Sequence, residues 1–141
     1  MKENDIQADS FFCEYTGKTA GVNKWLKPKN KGHYKNSEYE AFQDAVQYTI
    51  IQKRNQVNFK QIDSECVVYL IFRISKNHDI DSLIKPVLDC LQHGNIIKND
   101  NLIMRLNVEK EIKASKELDR IRIAVYSKQH ACLGDVIEGI K

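Results

Sequence analysis

Hydrophobic and polar residues follow two periods along the chain, and these predict four strands and two helices. Strand-like stretches, which alternate with a period of two or are dense in β-branched and aromatic residues, cover residues 10–16, 66–74, 103–112 and 118–126. Helical spacing covers residues 37–54, after the capping-box pattern of Ser37 and Glu40, and residues 82–94, which end at Gly94. We therefore expect an α+β domain with two helices packed on one mixed or antiparallel sheet of about four strands, the last two strands forming a β-hairpin.

Two aspartates one residue apart follow the most apolar of these strands. If residues 77–81 are extended, Asp79 and Asp81 point to the same side, because side chains alternate along a strand. Two such carboxylates are hard oxygen ligands that suit Mg²⁺ or Mn²⁺. Lys85 follows Asp81 by one helical turn, where an ammonium could neutralise charge that builds up on a phosphate. Asp89, one turn further, is placed to hold Lys85.

Simpler roles fit the same residues. Asp81 or Ser82 could cap the helix, and Asp79 could be a solvated loop residue. An EF-hand is excluded, because Ser82 replaces the required glycine and Leu88 stands where the bidentate glutamate should be. A third carboxylate, Asp100, follows the helix after a short apolar link.

Residues 22–36 are basic and contain no acid. The lysines of this stretch are Lys24, Lys27, Lys29, Lys31 and Lys35. Trp25 and Tyr34 are interleaved with them, a pattern that suits gripping phosphates and stacking on bases or sugars. A solvated loop with an aromatic residue in the core fits the composition equally well. A second polar cluster, just before the acids, allows the same two interpretations: Arg73, Lys76 and His78.

Composition narrows the class of protein. With 141 residues, 42% hydrophobic and 29% charged, we expect a single domain over residues 1–141, with its core at about 10–126 and peripheral tails at 1–8 and 127–141. The net charge of +3 decides little by itself. Four scattered cysteines argue against a zinc site or disulfide scaffold: Cys13, Cys66, Cys90 and Cys132. Without an apolar run long enough for a membrane span, or a signal peptide, we expect a cytoplasmic protein.

The spacing D-x-D-[N/S]-L-x-K-x-x-L-D-x-L-x-x-G, followed by a further aspartate, resembles the RusA family of Holliday-junction resolvases. The matching residues are Asp79, Asp81, Leu83, Lys85, Leu88, Asp89, Leu91 and Asp100. The resemblance implies that Asp79, Asp81 and Asp100 bind the catalytic metal and that Lys85 is required for cleavage. Two positions depart from the family's pattern, which usually has asparagine at position 82 and often has a second acid at position 99.

The resemblance covers residues 10–126 and implies a RusA-like homodimer that acts on branched DNA with Mg²⁺, or Mn²⁺ as a substitute. It also implies a basic N-terminal loop that helps to bind the junction, in which Asn23 matches the family's asparagine. Genes of the family are often carried by prophages and serve DNA recombination and repair. The expected function is a structure-specific endonuclease that resolves four-way junctions by paired symmetric nicks. An inactive junction-binding protein, or a nuclease for forks or flaps, remains an alternative.

Overall fold

The structure, a computed structural model, describes residues 10–20, 27–29, 32–34, 37–113 and 117–127, and at 27–29 and 32–34 it describes the backbone alone. The strands are β1 (Ser10–Gly17), β2 (Lys27–Lys29), β3 (Gly32–Tyr34), β4 (Cys66–Ile74), β5 (Ile103–Ile112) and β6 (Asp119–Ser127). The helices are α1 (Ser37–Val57) and α2 (Ile80–His93), and a single 3₁₀ turn (Asp100–Leu102) precedes β5.

The main sheet has four strands in the order β1-β6-β4-β5. β4 runs parallel to β5 and antiparallel to β6, and β6 runs antiparallel to β1. The sheet is therefore mixed, and the two helices share the main hydrophobic core with it. This arrangement confirms the predicted α+β class.

β4 is one of the two inner strands of the sheet, and nearly all of its residues are apolar. Val68, Leu70 and Phe72 are buried in the main core, against the helices. Val67 and Tyr69 are buried in a smaller cluster that also contains Ala124 of β6. A strand with both faces buried needs the near-continuous apolar run that the sequence shows at these positions.

The predicted hairpin of β5 and β6 is wrong, because these strands lie on opposite sides of β4. Helix α2 returns the chain so that β5 pairs parallel to β4, and β6 then pairs with the other side of β4. At the end of β4, hydrogen bonds hold the residue after β5 and the first residue of β6: Lys113 N donates to Ile74 O at 2.8 Å, and Ser75 N donates to Asp119 Oδ1 at 3.0 Å. The six residues between the strands include no glycine or asparagine that would favour a tight hairpin turn.

Other boundaries differ in smaller ways. The basic stretch that we expected to be a loop contains β2 and β3, which pair antiparallel as a separate two-stranded sheet. α1 ends at Val57, three residues later than predicted. Cys66 and Cys90 are buried free thiols, as predicted. The helix suggested within residues 127–141 lies outside the described residues. No described helix has the length and apolar character that crossing a membrane requires.

Candidate metal centre and nuclease site

Asp79 and Asp81 lie together at the N-terminus of α2, and both are exposed. The helix begins at Ile80, two residues earlier than predicted, so Asp81 belongs to its first turn. Asp79 is the N-cap residue, with an extended backbone at φ −60° and ψ 139°. Residues 77–81 are therefore not one extended segment, which was the condition for strand alternation to place both acids on the same side. The two acids instead flank Ile80, the first residue of the helix.

Helix capping does not account for the Asp79 carboxylate. Its side chain accepts no capping hydrogen bond from the helix. Instead the Asp79 carbonyl accepts hydrogen bonds from Ser82 N at 3.1 Å and Ser82 Oγ at 2.7 Å. Ser82 is buried, so its hydroxyl takes the place of a water molecule as hydrogen-bond donor to the Asp79 carbonyl. The positive end of the helix dipole favours negative side chains at this position.

Lys85 and Asp89 form the ion pair that the sequence predicted, with Nζ and Oδ1 3.6 Å apart. The Lys85 side chain is 65% exposed and that of Asp89 is 28% exposed. Such a solvated pair adds little to stability. The Lys85 ammonium therefore remains accessible to an anion from solvent, one turn along the helix from Asp81.

Asp100 is the first residue of the 3₁₀ turn before β5 and is exposed. Its N–H donates to Gln92 Oε1 at 3.0 Å, which fixes its backbone beside the last turn of α2. Asn99 caps the turn, since its Oδ1 accepts a hydrogen bond from Asn101 N at 2.9 Å. The asparagine at position 99 thus has a local structural role.

The fold holds Asp100 apart from the other two acids of its own chain. Gln92 lies thirteen residues after Asp79, which is about 20 Å along the helix at about 1.5 Å per residue. Carboxylate oxygens that share one Mg²⁺ must each lie about 2 Å from it. In agreement, no three histidine, cysteine, aspartate or glutamate side chains of the described residues are grouped closely enough to hold an ion.

Sequence reasoning missed Lys110, which contacts the turn before Asp79. Its Nζ donates to Asn77 Oδ1 at 2.7 Å and to His78 O at 2.8 Å. A signal was present, because Lys110 continues the register of Leu106 and Val108 along β5, where an apolar residue would be expected.

The structure describes only two of the six predicted DNA-binding residues. Lys27 and Lys29 belong to β2, whose backbone alone is described. Four others lie outside the described residues: Asn23, Lys24, Lys31 and Lys35. Of the polar cluster before the acids, Arg73 pairs with Glu111 at 3.3 Å and Lys76 is exposed. A role in DNA binding stays a prediction for all of them.

A cavity of about 480 Å³ lies between the end of β1 and the start of α1. Its described lining includes Tyr15, Lys18 and Phe42 but none of the three aspartates. The candidate site is instead an open surface, which suits a polymeric substrate whose phosphates project outward.

Comparison with known proteins decides the family. The model of the family Endodeoxyribonuclease RusA matches residues 17–126, a range that contains all three aspartates and Lys85. The chain belongs to the RusA family. A curated RusA relative, the crossover junction endodeoxyribonuclease of Aquifex aeolicus (strain VF5), is 30% identical over 97 residues, which cover 67% of this chain and 75% of the relative. The predicted family is thereby confirmed, and the RusA member described here is an endodeoxyribonuclease.

Proposed function

We propose that this RusA member is a divalent-metal-dependent nuclease that resolves four-way DNA junctions by paired symmetric nicks. The observation that carries the proposal is the pair of exposed acids, Asp79 and Asp81, at the start of α2. The relative named as a crossover junction endodeoxyribonuclease supports the choice of substrate.

The acids fit a hard cation. Asp79, Asp81 and Asp100 offer only oxygen donors, which suit Mg²⁺ or Mn²⁺ and exclude a thiolate-type centre. Such an ion supplies polarisation of a phosphate and acidification of a water molecule. Asp79 and Asp81 would hold it at the start of α2. The exposed ammonium of Lys85 would balance the extra negative charge on the phosphate during cleavage.

The third ligand requires a second copy of the chain. Because Asp100 lies about 20 Å along α2 from Asp79, one chain cannot bring both to one ion without breaking the helix. In a two-fold dimer, the partner subunit's Asp100 can approach Asp79 and Asp81. Each of the two sites would then be shared between subunits, and two sites suit the two opposed nicks that a junction requires.

The exposed edge of the sheet offers a place for this contact. β5 is an edge strand of the four-stranded sheet, and it carries three large exposed apolar side chains: Met104, Leu106 and Ile112. Asp100 precedes the start of β5, whereas Lys110 at its other end contacts the turn before Asp79. Antiparallel pairing of two β5 strands about a two-fold axis would therefore bring Asp100 of one subunit toward Asp79 of the other. A long exposed edge is a ready template for such pairing.

The first test is cleavage of a synthetic four-way junction in Mg²⁺, beside linear duplex and a fork of matched sequence. We expect symmetric nicks in the junction and none with Asp81→Asn, which should still bind junction DNA because a repulsive charge is removed. Junction binding without cutting by the unmodified protein would indicate an inactive binding protein. Preferential cutting of the fork would indicate a different branched substrate.

The shared site is tested by mixing two inactive variants, Asp81→Asn and Asp100→Asn, co-expressed with different tags and purified as the mixed dimer. If the site is shared, one of its two sites has all three aspartates, so the mixed dimer should nick one strand of the junction. The matched control is the mixed dimer of Asp79→Asn and Asp81→Asn, in which both sites stay broken. An inactive mixture of Asp81→Asn with Asp100→Asn would refute the shared site.

A further inference from the structure

The ammonium of Lys110 makes two hydrogen bonds to the turn that precedes Asp79. Lys110 lies on the edge strand β5, opposite Phe72 of β4, and is only partly exposed. Its ammonium donates to the side-chain oxygen of Asn77 at 2.7 Å and to the backbone carbonyl of His78 at 2.8 Å. Both acceptors are neutral oxygens, so the contacts are directional hydrogen bonds and no ion pair explains them.

These contacts hold the peptide unit from which Asp79 departs. The His78 carbonyl belongs to the same planar peptide bond as the Asp79 nitrogen, so fixing one fixes the plane of the other. On the far side, the Asp79 carbonyl is held by Ser82 N and Ser82 Oγ. Asp79 is thus fixed on both sides, by β5 before it and by α2 after it.

Other residues between β4 and α2 are held by hydrogen bonds that do not involve Lys110. Ser75 N and Ser75 Oγ donate to Asp119 Oδ1 of β6 at 3.0 Å and 3.2 Å, and His78 N donates to Lys76 O at 2.9 Å. The segment between β4 and α2 is therefore anchored by side chains from β6 at its beginning and from β5 at its end. Of these two anchors, Lys110 is the one that lies next to the acids.

We infer that Lys110 is a positioning residue for the metal-binding pair: it fixes the Asn77–His78 turn so that the Asp79 and Asp81 carboxylates reach the same cation. This inference rests on the proposed function, because it assigns Lys110 to the site proposed there. Groups that orient metal ligands are commonly worth a factor of about 10 to 100 in affinity or activity.

A positioning role and a purely electrostatic role of Lys110 predict opposite changes in cation affinity when the lysine is removed. Loss of a positive charge beside two carboxylates would by itself tighten cation binding, because a repulsion is removed. Loss of positioning would weaken it. Calorimetric titration of the metal-free full chain with Mn²⁺ should therefore show roughly tenfold weaker binding for Lys110→Met. Lys110→Arg, which keeps donors and charge, should recover most of the affinity.

The charge-matched control is Lys60→Met, which removes an exposed lysine from the segment before β4, at the other end of that strand. We expect its Mn²⁺ affinity to stay within about twofold of the unmodified protein. Sedimentation velocity should give the same oligomeric state for both variants. Dissociation of Lys110→Met alone would assign its effect to assembly and overturn the positioning role.

A second measurement needs no metal. In the metal-free protein, amide hydrogen exchange at His78 and Ser82 should be about tenfold faster in Lys110→Met, with an unchanged urea midpoint for global unfolding. Unchanged exchange, or Mn²⁺ binding as tight as in the unmodified protein, would overturn the inference and leave the proposed function intact. Absence of Mn²⁺ binding by the unmodified protein would instead overturn the proposed function, and the inference with it.

Discussion

Lys85 is the residue whose chemistry can be separated most cleanly from its structural role. Its ion pair with Asp89 is solvated, so loss of that pair should change stability by less than about 1 kcal/mol. The surrounding fold should survive substitutions at either position, and effects on cleavage can then be attributed to the ammonium itself.

We predict that Lys85→Met lowers the single-turnover rate of junction cleavage by roughly 100- to 1,000-fold, the usual effect of removing one group that stabilises developing charge. Junction affinity should change far less. Asp89→Asn, which removes the partner and keeps the lysine, should lower the rate by only about threefold or less. Equal losses in the two variants would show that Lys85 acts through the ion pair.

The buried carboxylate of Asp119 contacts residues that follow the ends of three strands: β1, β4 and β5. Asp119 is 8% exposed, and its oxygens accept hydrogen bonds from Thr19 Oγ1 at 2.7 Å and from Ser75 N and Oγ. Lys113 Nζ lies 3.6 Å away and is itself mostly buried. Removal of the carboxylate would leave several buried donors without their acceptor.

We therefore expect Asp119→Ala to lower the free energy of unfolding by roughly 3 kcal/mol in urea denaturation. The control is Glu14→Ala, which breaks an exposed pair with Arg122 at 3.1 Å and should cost less than about 1 kcal/mol. A change at position 119 no larger than that at position 14 would mean that water replaces the Asp119 contacts.

At the scale of elements, the type of each segment could be predicted but its partners could not. The alternation of β5 and β6 identifies strands, yet it is the same whether a strand pairs with its neighbour in sequence or with β4. The start of α2 was missed because Ile80, although it lies three and four residues before Leu83 and Ile84, was counted with the extended segment that precedes the helix. The candidate site shows the same limit: the residue types follow from spacing, whereas the separation of Asp100 from Asp79 follows from the parallel crossover through α2.

The proposed pairing of two β5 strands can be tested by a substitution that leaves Asp79, Asp81 and Asp100 unchanged. We predict that Leu106→Lys makes the protein monomeric in sedimentation velocity, because a charged edge disfavours strand pairing. Its far-UV circular dichroism spectrum should match that of the unmodified protein, since Leu106 is 37% exposed and its replacement leaves the core intact. If the site is shared as proposed, junction cleavage should be lost with the dimer, because each site would then lack Asp100.

Val57→Lys is the matched control, since Val57 is also an exposed apolar residue but lies at the end of α1. It should leave both the oligomeric state and cleavage unchanged. A Leu106→Lys protein that is monomeric yet cuts at the normal rate would show that one chain forms the whole site.

At the scale of the whole molecule, the core contains thiols that the proposed chemistry does not use. Burial raises the pKa of Cys90 from 9.0 to about 12, with smaller contributions from the charges of Asp89 and Asp44. Its Sγ also donates a hydrogen bond to Gln43 O at 3.3 Å, which favours the protonated form. Burial likewise raises the pKa of Cys66 to about 11. The folded core therefore requires neutral thiols.

This requirement predicts a loss of stability in alkali. Below about pH 9 both folded and unfolded chains keep these thiols protonated, so their contribution is fully present. As the pH rises toward the folded pKa of about 11 for Cys66 and about 12 for Cys90, only the unfolded chain ionises. Each thiol should then lower the free energy of unfolding by up to about 1.4 kcal/mol per pH unit. Urea denaturation from pH 8 to pH 11 should show this slope, and Cys90→Ala should make it shallower even though the cavity lowers stability at every pH. Identical slopes for the two proteins would mean that the Cys90 thiol ionises within the folded core.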